Sequence, residues 1–314
     1  MSEPLPTSAL GRLRFALKPA SWPKLLVPAV IGVGLAVDTS GALSVPGALA
    51  MLALTVLDLI FVVCLNDWGD REVDALKRRM FPATSPKTIP DGVLSARALL
   101  GLGLGAGLFA LAVSVPVSLL LARPLLPALV LGALATFWLY SLPPIRLNYR
   151  GGGELLEALG VGVILPALGC YLGAGRLFGP SATMLGGWTM LALASAVASG
   201  LSDERSDAAG GKRTVVTMLG NLAARRLIVA LAVVGPLAWL AATFLLEGGP
   251  PRPLAIVAAL VAFDGVPTLH RRSEAAVTDA FGAITHFKSA LHGLAWRAGL
   301  TWGVGLVVAP AFGW

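Results

Sequence analysis

Nine apolar runs divide this chain, and its positive charges fall almost entirely in every second gap between them. The runs lie at about 23–38, 46–66, 97–115, 124–142, 154–174, 184–201, 227–246, 253–269 and 290–312. A helix needs roughly 20 apolar residues to cross a bilayer. Of the 24 Lys and Arg, only Arg123, Arg176 and Arg252 lie in the minority gaps. The other 21 sit at the N-terminus or in the gaps after runs two, four, six and eight, with their flanks. Positive loops mark the cytoplasmic side. Adding or dropping one helix would scramble this asymmetry. The pattern therefore predicts an all-α polytopic membrane protein of nine transmembrane helices in a single bundle. Its N-terminus is cytoplasmic and its C-terminus is on the opposite side, with a bacterial inner membrane as the expected setting.

Composition agrees. The 314 residues are 56% hydrophobic and 13% charged, against roughly 25% charged in a soluble domain. The net charge of +7 follows from topology and from attraction to anionic lipid heads. It is not a nucleic-acid signal. Residues 1–22, with Arg12, Arg14 and Lys18, read as a cytoplasmic or interfacial lead-in, and 23–314 as one domain. No small-residue cleavage signature follows the first run, so it is expected to be a retained span. Cys64 and Cys170 each fall inside a predicted helix, where burial is the expected reading. His270, His286 and His292 form no zinc pattern.

Two acidic clusters close the second and sixth runs, both on the cytoplasmic side. The first is Asn66-Asp67-Trp68-Gly69-Asp70-Arg71-Glu72-Val73-Asp74, and the second is Asp203-Glu204-Arg205-Ser206-Asp207. Acids at the ends of membrane helices are expensive and carry function by default. Asn66, Asp70 and Asp74 are spaced to line one helical face, as are Asp203 and Asp207. Carboxylates on one face, about 5.4 Å apart per turn, suit metal ions bridged by a diphosphate. Mg²⁺ fits, because it is hard and pairs one or two carboxylates with phosphates and waters. The competing reading is that these acids are solvated and balance Arg71, Arg205, Lys212 and Arg213. No D-x-D-x-D-G loop is present, which excludes an EF-hand.

These motifs resemble those of the UbiA superfamily of intramembrane prenyltransferases, including its 4-hydroxybenzoate polyprenyltransferase and chlorophyll synthase branches. Asn66-Asp67-x-x-Asp70-x-x-x-Asp74 is similar to the family's N-D-x-x-D-x-x-x-D motif. Asp203-x-x-x-Asp207-x-x-Gly210-Gly211-Lys212-Arg213-Thr214, with Leu219-Gly220 after it, resembles the second aspartate motif and its tail. Tyr140-Ser141-Leu142-Pro143-Pro144-x-Arg146-Leu147 is similar to Y-S-x-P-P-x-R-L, and Lys18-Pro19 fits the lead-in. The resemblance covers about residues 12–312. One stretch departs: Thr88-Ile89-Pro90, with Lys87 just ahead, stands where the family has Arg-Pro before a loop glycine. The insert at 78–86 also differs, which bears on substrate preference rather than on the metal site.

The resemblance implies a Mg²⁺-dependent transfer of an isoprenyl group from a prenyl diphosphate to a lipophilic, aromatic or tetrapyrrole acceptor, as in lipid or quinone biosynthesis. It implies a central polar cavity, Mg²⁺ held by Asn66, Asp70, Asp74, Asp203 and Asp207, and the diphosphate cradled by Lys87, Arg146, Lys212 and Arg213. Tyr140 and Ser141 would line the cavity, with the tyrosine face positioned to stabilise an allylic cation. The partners implied are the prenyl diphosphate, the acceptor and membrane lipid, with no nucleic acid and no obligate protein partner. A relative that cyclises its prenyl diphosphate without an acceptor would carry the same metal site.

Asp58 stands apart. It lies eight residues before Asn66 on the same face, about 12 Å deeper along the helix. It is expected either to meet the acceptor and help remove its proton, or to be a neutral carboxyl hydrogen-bonded to another helix. Glu154 and Glu157 read as favourable charge at a helix start. The paired acidic ends, four helices apart, suggest an old duplication. Two other classes fit less well. A transporter wants its acids at the bilayer midplane in broken helices. A CDP-alcohol phosphotransferase wants D-G-x-x-A-R, and Asp91-Gly92-Val93-Leu94-Ser95-Ala96-Arg97 is one residue too long.

Overall fold

Every apolar run is helical in the computed structural model, which describes residues 5–246 and 249–313. The chain opens with α1 (Ala9–Leu17), α2 (Pro23–Ser40), α3 (Val45–Gly69), α4 (Arg71–Met80) and α5 (Ala96–Leu120). It continues with α6 (Leu126–Ser141), α7 (Leu147–Arg150), α8 (Gly153–Leu159), α9 (Leu165–Ala174) and α10 (Leu185–Gly200). The last third holds α11 (Glu204–Ala209), α12 (Val215–Leu219), α13 (Asn221–Leu245), α14 (Arg252–Ala275) and α15 (Phe281–Val308). There is no strand among the described residues. Seven segments are long and apolar enough to cross a membrane: α2, α3, α5, Gly153–Ala174, Pro180–Gly200, α13 and α14. The chain is an integral membrane protein. Leu126–Ser141 is apolar but shorter, and α15 is 28 residues long.

Local chemistry sets the ends. Ser8, Ser44 and Ser95 cap α1, α3 and α5 by accepting from the backbone N–H three residues on, satisfying donors the helix cannot pair. Gly41 and Gly175 close α2 and α9 in the left-handed conformation. Arg123, between α5 and α6, donates to the carbonyls of Tyr171, Leu172 and Gly173 at the end of α9. That guanidinium satisfies carbonyls a helix end otherwise leaves orphaned. Cys64 and Cys170 are buried and free.

Two apolar cores meet at α2. One side, with Val27, Ile31 and Leu35, packs among α10, α13, α14 and α15. The other, with Leu25 and Ala29, packs among α3, α5, α6 and α9. Small residues let the backbones touch, the usual device in lipid. A Cβ on Gly34 would sit 2.4 Å from the carbonyl oxygen of Gly303 on α15. Backbone cannot swing aside as a side chain can. Gly34→Val is therefore expected to lose at least about 1–3 kcal/mol, read as a lower thermal midpoint in detergent. Gly101→Val on α5, where a Cβ meets nothing within 4 Å, should change stability by less than about 0.5 kcal/mol.

Between α8 and α9 the chain makes one π-helical turn, Gly160–Ile164. Such turns free a backbone carbonyl and gather at functional sites. Here the Trp188 indole N–H donates to the Val161 carbonyl at 3.1 Å, while Gly160, Val161 and Ile164 form part of a cavity wall.

Candidate active site

Both acidic clusters are built the same way. A long helix ends, one aspartate sits at the junction, and a short helix follows. Asp70 links α3 to α4 with φ −95° and ψ 5°, and Asp203 precedes α11 with φ −116° and ψ 1°. The chain stays nearly helical across each joint: the Asp74 N–H reaches the Asp70 carbonyl at 2.8 Å and the Asp207 N–H reaches that of Asp203 at 2.7 Å. The ladder expected from Asn66 to Asp74 is thus carried by two helices that meet at Asp70. Neither junction carboxylate caps its short helix, so both remain available to the site.

The two clusters face each other, and lysines cross between them. Lys77 of α4 pairs with Asp203 and donates to the Ser202 carbonyl at 2.8 Å. Lys212, after α11, pairs with Asp70 at 2.7 Å and stands 3.7 Å from Asp207. Lys87, from the loop after α4, holds Asp74 at 2.6 Å. Burial works against both the Lys87 and Lys212 ammonium groups. For Lys87, Asp203 and Asp74 outweigh it; for Lys212, Asp70 and Asp207 do, so both pKa values rise above the ordinary lysine value. Burial also opposes ionisation of Asp203, but Lys87 and Lys77 hold its carboxyl well below the usual range. Asp207 moves the other way. Burial raises its pKa, Lys212 offsets this only in part, and Asp203 and Asp70 add to it.

Asp70 and Asp207 share one ammonium, which leaves a surplus of negative charge between them. The donors are hard oxygens, so their chemistry fits Mg²⁺. Among the described residues, no three acidic, histidine or cysteine side chains converge closely enough to hold a metal ion. A Mg²⁺ ion there would take one or two carboxylates and complete its shell with phosphate oxygens and water.

The remaining expected residues divide. Asn66 and Tyr140 line the cavity. Arg146 donates to the Gly69 carbonyl at 2.7 Å and lies 3.7 Å over the Tyr149 ring, and its buried Nε has no partner. Ser141 is fully buried and does not line the cavity. A Cβ on Gly69 would lie 2.7 Å from its Oγ. Arg213 is exposed and, among the described residues, pairs with none of the carboxylates. Glu154 accepts from the Val215 N–H at 2.6 Å, and Glu157 pairs with Lys24, so both hold specific partners. Asp91 is tied to Arg78 and to the Lys87 N–H, a loop-building role.

Several contributors had no role assigned from the sequence. Asp67 pairs with Lys18 and accepts from Thr88 Oγ1 at 2.6 Å, fastening the lead-in and the 81–95 loop to α3. Lys77 and Tyr149, whose hydroxyl donates to Asp70 at 3.3 Å, complete the floor. The cavity has a volume of about 290 Å³ and runs from Lys18, Lys24 and Asn66 past Tyr140 and Phe137 to Asp58. Its lining residue Asn66 lies one helical turn from Asp70, whose N–H donates to the Asn66 carbonyl at 2.9 Å.

Residues 25–291 match the model of the UbiA prenyltransferase family. The chain belongs to that family. Among similar proteins, a protoheme IX farnesyltransferase from Anaeromyxobacter sp. is 35% identical over 159 residues, covering 49% of this chain and 50% of the relative. The chain thus matches about half the length of that relative. A lycopene elongase/hydratase from Haloarcula japonica is 27% identical over 219 residues, 68% of each chain. The UbiA fold is seen in solved structures. A UbiA homolog from Archaeoglobus fulgidus, bound to GPP and Mg²⁺, superposes with a TM-score of 0.65 at 16% identity, covering 94% of this chain and 99% of that one. An apo homolog from Aeropyrum pernix gives 0.67 at 16% identity, covering 92% and 98%.

Proposed function

We propose that this UbiA-family chain transfers an isoprenyl group from a prenyl diphosphate to a lipophilic acceptor inside the membrane, releasing diphosphate. The observation that carries this reading is the pair of junction aspartates, cross-linked by lysines, with Asp70 one turn from Asn66 in the wall of an apolar cavity. The diphosphate would lie among Asp70, Asp74, Asp203 and Asp207, with Asn66 below, through Mg²⁺ that neutralises its charge as it leaves. Lys87 and Lys212 would turn from these carboxylates to phosphate oxygens, and the free Nε–H of Arg146 offers a further donor. The prenyl tail would enter the cavity. Tyr140 and Phe137, with ring centroids 5.6 Å apart, present π faces to the allylic cation. Electrostatic stabilisation of developing charge is usually the largest catalytic term.

The bundle has nine spans in this proposal, with Leu126–Ser141 and Phe281–Val308 added to the seven, the N-terminus cytoplasmic and the membrane a bacterial inner membrane. Residues 23–314 act as one domain. The acceptor is aromatic or a tetrapyrrole, and the protoheme and lycopene of the two relatives' names set the first compounds to try. The test is diphosphate release by purified protein in nanodiscs, with geranyl, farnesyl, geranylgeranyl and longer diphosphates, with and without phenolic, quinoid, tetrapyrrole and polyene acceptors. Release that needs both an acceptor and Mg²⁺ and stops in EDTA is the expected result. Release without an acceptor, alongside a prenyl hydrocarbon, would make the chain a cyclase. EDTA-insensitive release would sink the metal assignment.

A further inference from the structure

Two carboxylates line the cavity, Asp58 and Glu157. They are not equivalent. Glu157 is neutralised by Lys24, which also donates to Ser199 at 3.3 Å. Asp58, on α3, has no ion pair and no hydrogen bond among the described residues. It also lines a smaller void of about 10 Å³ whose other lining residues are Leu54, Ala110, Val130, Ala133, Leu134, Leu165 and Leu168. The neighbouring helices therefore offer it no polar partner on that side. A polar group placed in apolar surroundings without a partner is costly, and within a membrane such an acid marks function by default.

Where the prenyl group replaces a hydrogen on an acceptor carbon, as on an aromatic ring, each turnover releases one proton. The C–O bond of the donor breaks and its electron pair leaves with the diphosphate. The acceptor supplies the pair for the new C–C bond and is left as a cation. Its C–H bond then breaks, the pair returns to the acceptor, and the proton needs a base. Metal-bound diphosphate among lysines has its charge engaged, and Glu157 is held in an ion pair with Lys24.

We propose that Asp58 is the catalytic base of this step: its unpaired carboxylate faces the cationic acceptor intermediate from the deep end of the cavity and takes its proton. This rests on the prenyl-transfer reading above. It gives a mid-membrane acid a task that the diphosphate site does not share.

The test uses a probe that needs no knowledge of the acceptor. N,N-dimethylgeranylammonium mimics a carbocation in the cavity, and its uncharged carbon analogue has the same shape. Affinities are measured in detergent with Mg²⁺ and inorganic diphosphate present. The wild-type protein should prefer the ammonium, and Asp58→Asn should lower that preference at least tenfold, about 1.4 kcal/mol, without weakening the neutral analogue. Asp58→Glu should keep most of it. Where the release assay has selected an acceptor, Asp58→Asn should slow transfer by about 10²–10⁴-fold at unchanged affinity for diphosphate. Equal preference in wild type and Asp58→Asn, no wild-type preference for the ammonium, or near-normal transfer by Asp58→Asn would each overturn the proposal. Failure of inorganic diphosphate to bind with Mg²⁺ would instead overturn the donor reading, and that is read without the ammonium.

Discussion

Asp70→Ala and Asp207→Ala are each expected to lower turnover on the order of 10²–10³-fold or more, from protein that remains folded. The two side chains belong to different halves of the chain and meet only through Lys212, which is 2.7 Å from one and 3.7 Å from the other. Neither sits in an apolar core, so alanine would remove a proposed metal ligand and little packing. The loss should appear as a raised Mg²⁺ requirement as well as a lower maximum rate, because each ion has few protein ligands to spare. Titrating Mg²⁺ at saturating prenyl diphosphate separates the two. A variant that turns over near the wild-type rate at limiting Mg²⁺ would remove that residue from the metal set. The double variant should fall little further than either single one, since residues that act as a unit are not additive.

Much of this architecture could be read before any coordinates, because membrane helices follow from simple rules. A run of apolar residues must satisfy its backbone internally, so it becomes a helix. The alternation of Lys and Arg predicts nine such runs, and seven segments among the described residues are long and apolar enough to cross a membrane. Where apolarity does not set a boundary, the sequence says less. The last run reads as 290–312, yet α15 begins at Phe281. Its first turns are held by packing at the end of the bundle that carries the acidic clusters, where Lys77 lies over the Phe281 ring. Ile284 and Phe287 are fully buried, and Phe281 meets Phe81 edge-on at 5.1 Å between ring centroids. No local pattern announces a contact between residues 200 apart in the chain.

The same limit applies within the site. The spacing of Asn66, Asp70 and Asp74 places them on one side but does not reveal the joint at Asp70. Lys77 is seven residues past Asp70 and reads as one more surface charge, until α4 and α11 pack together and bring it to Asp203. Asp67 sits inside the motif, and its partners Lys18 and Thr88 come from segments on either side. Arg213 shows the reverse. It adjoins Lys212 in a recognisable tail, and the turn that aims Lys212 into the site leaves Arg213 exposed. Adjacent residues in a tight turn seldom share a direction, so a motif can name the segment without naming which cation enters.

Lys212→Met should destabilise the protein by about 3–5 kcal/mol in the absence of Mg²⁺, and Mg²⁺ with inorganic diphosphate should restore much of that loss. The reasoning is electrostatic. Lys212 is 8% exposed, Asp70 15% and Asp207 6%, so removing the ammonium leaves two carboxylates close together in a dry setting. Methionine keeps the length and fills the space, so the change isolates charge. Without the lysine, the carboxylates must repel, protonate or recruit another cation, and a Mg²⁺ ion is the cation this site is proposed to take. The variant should therefore gain more thermal stability from Mg²⁺ than the wild-type protein does, because a ligand that binds only the folded state stabilises it by mass action. Thermal unfolding in detergent, with and without Mg²⁺, reads this directly. If Lys212→Met and wild type gain equally from Mg²⁺, then Lys212 does not stand where the cation goes. Turnover should fall as well, since the same ammonium is proposed to donate to the leaving diphosphate. The pair of readouts thus separates a lysine that holds the facing carboxylates together from one that only steadies the product.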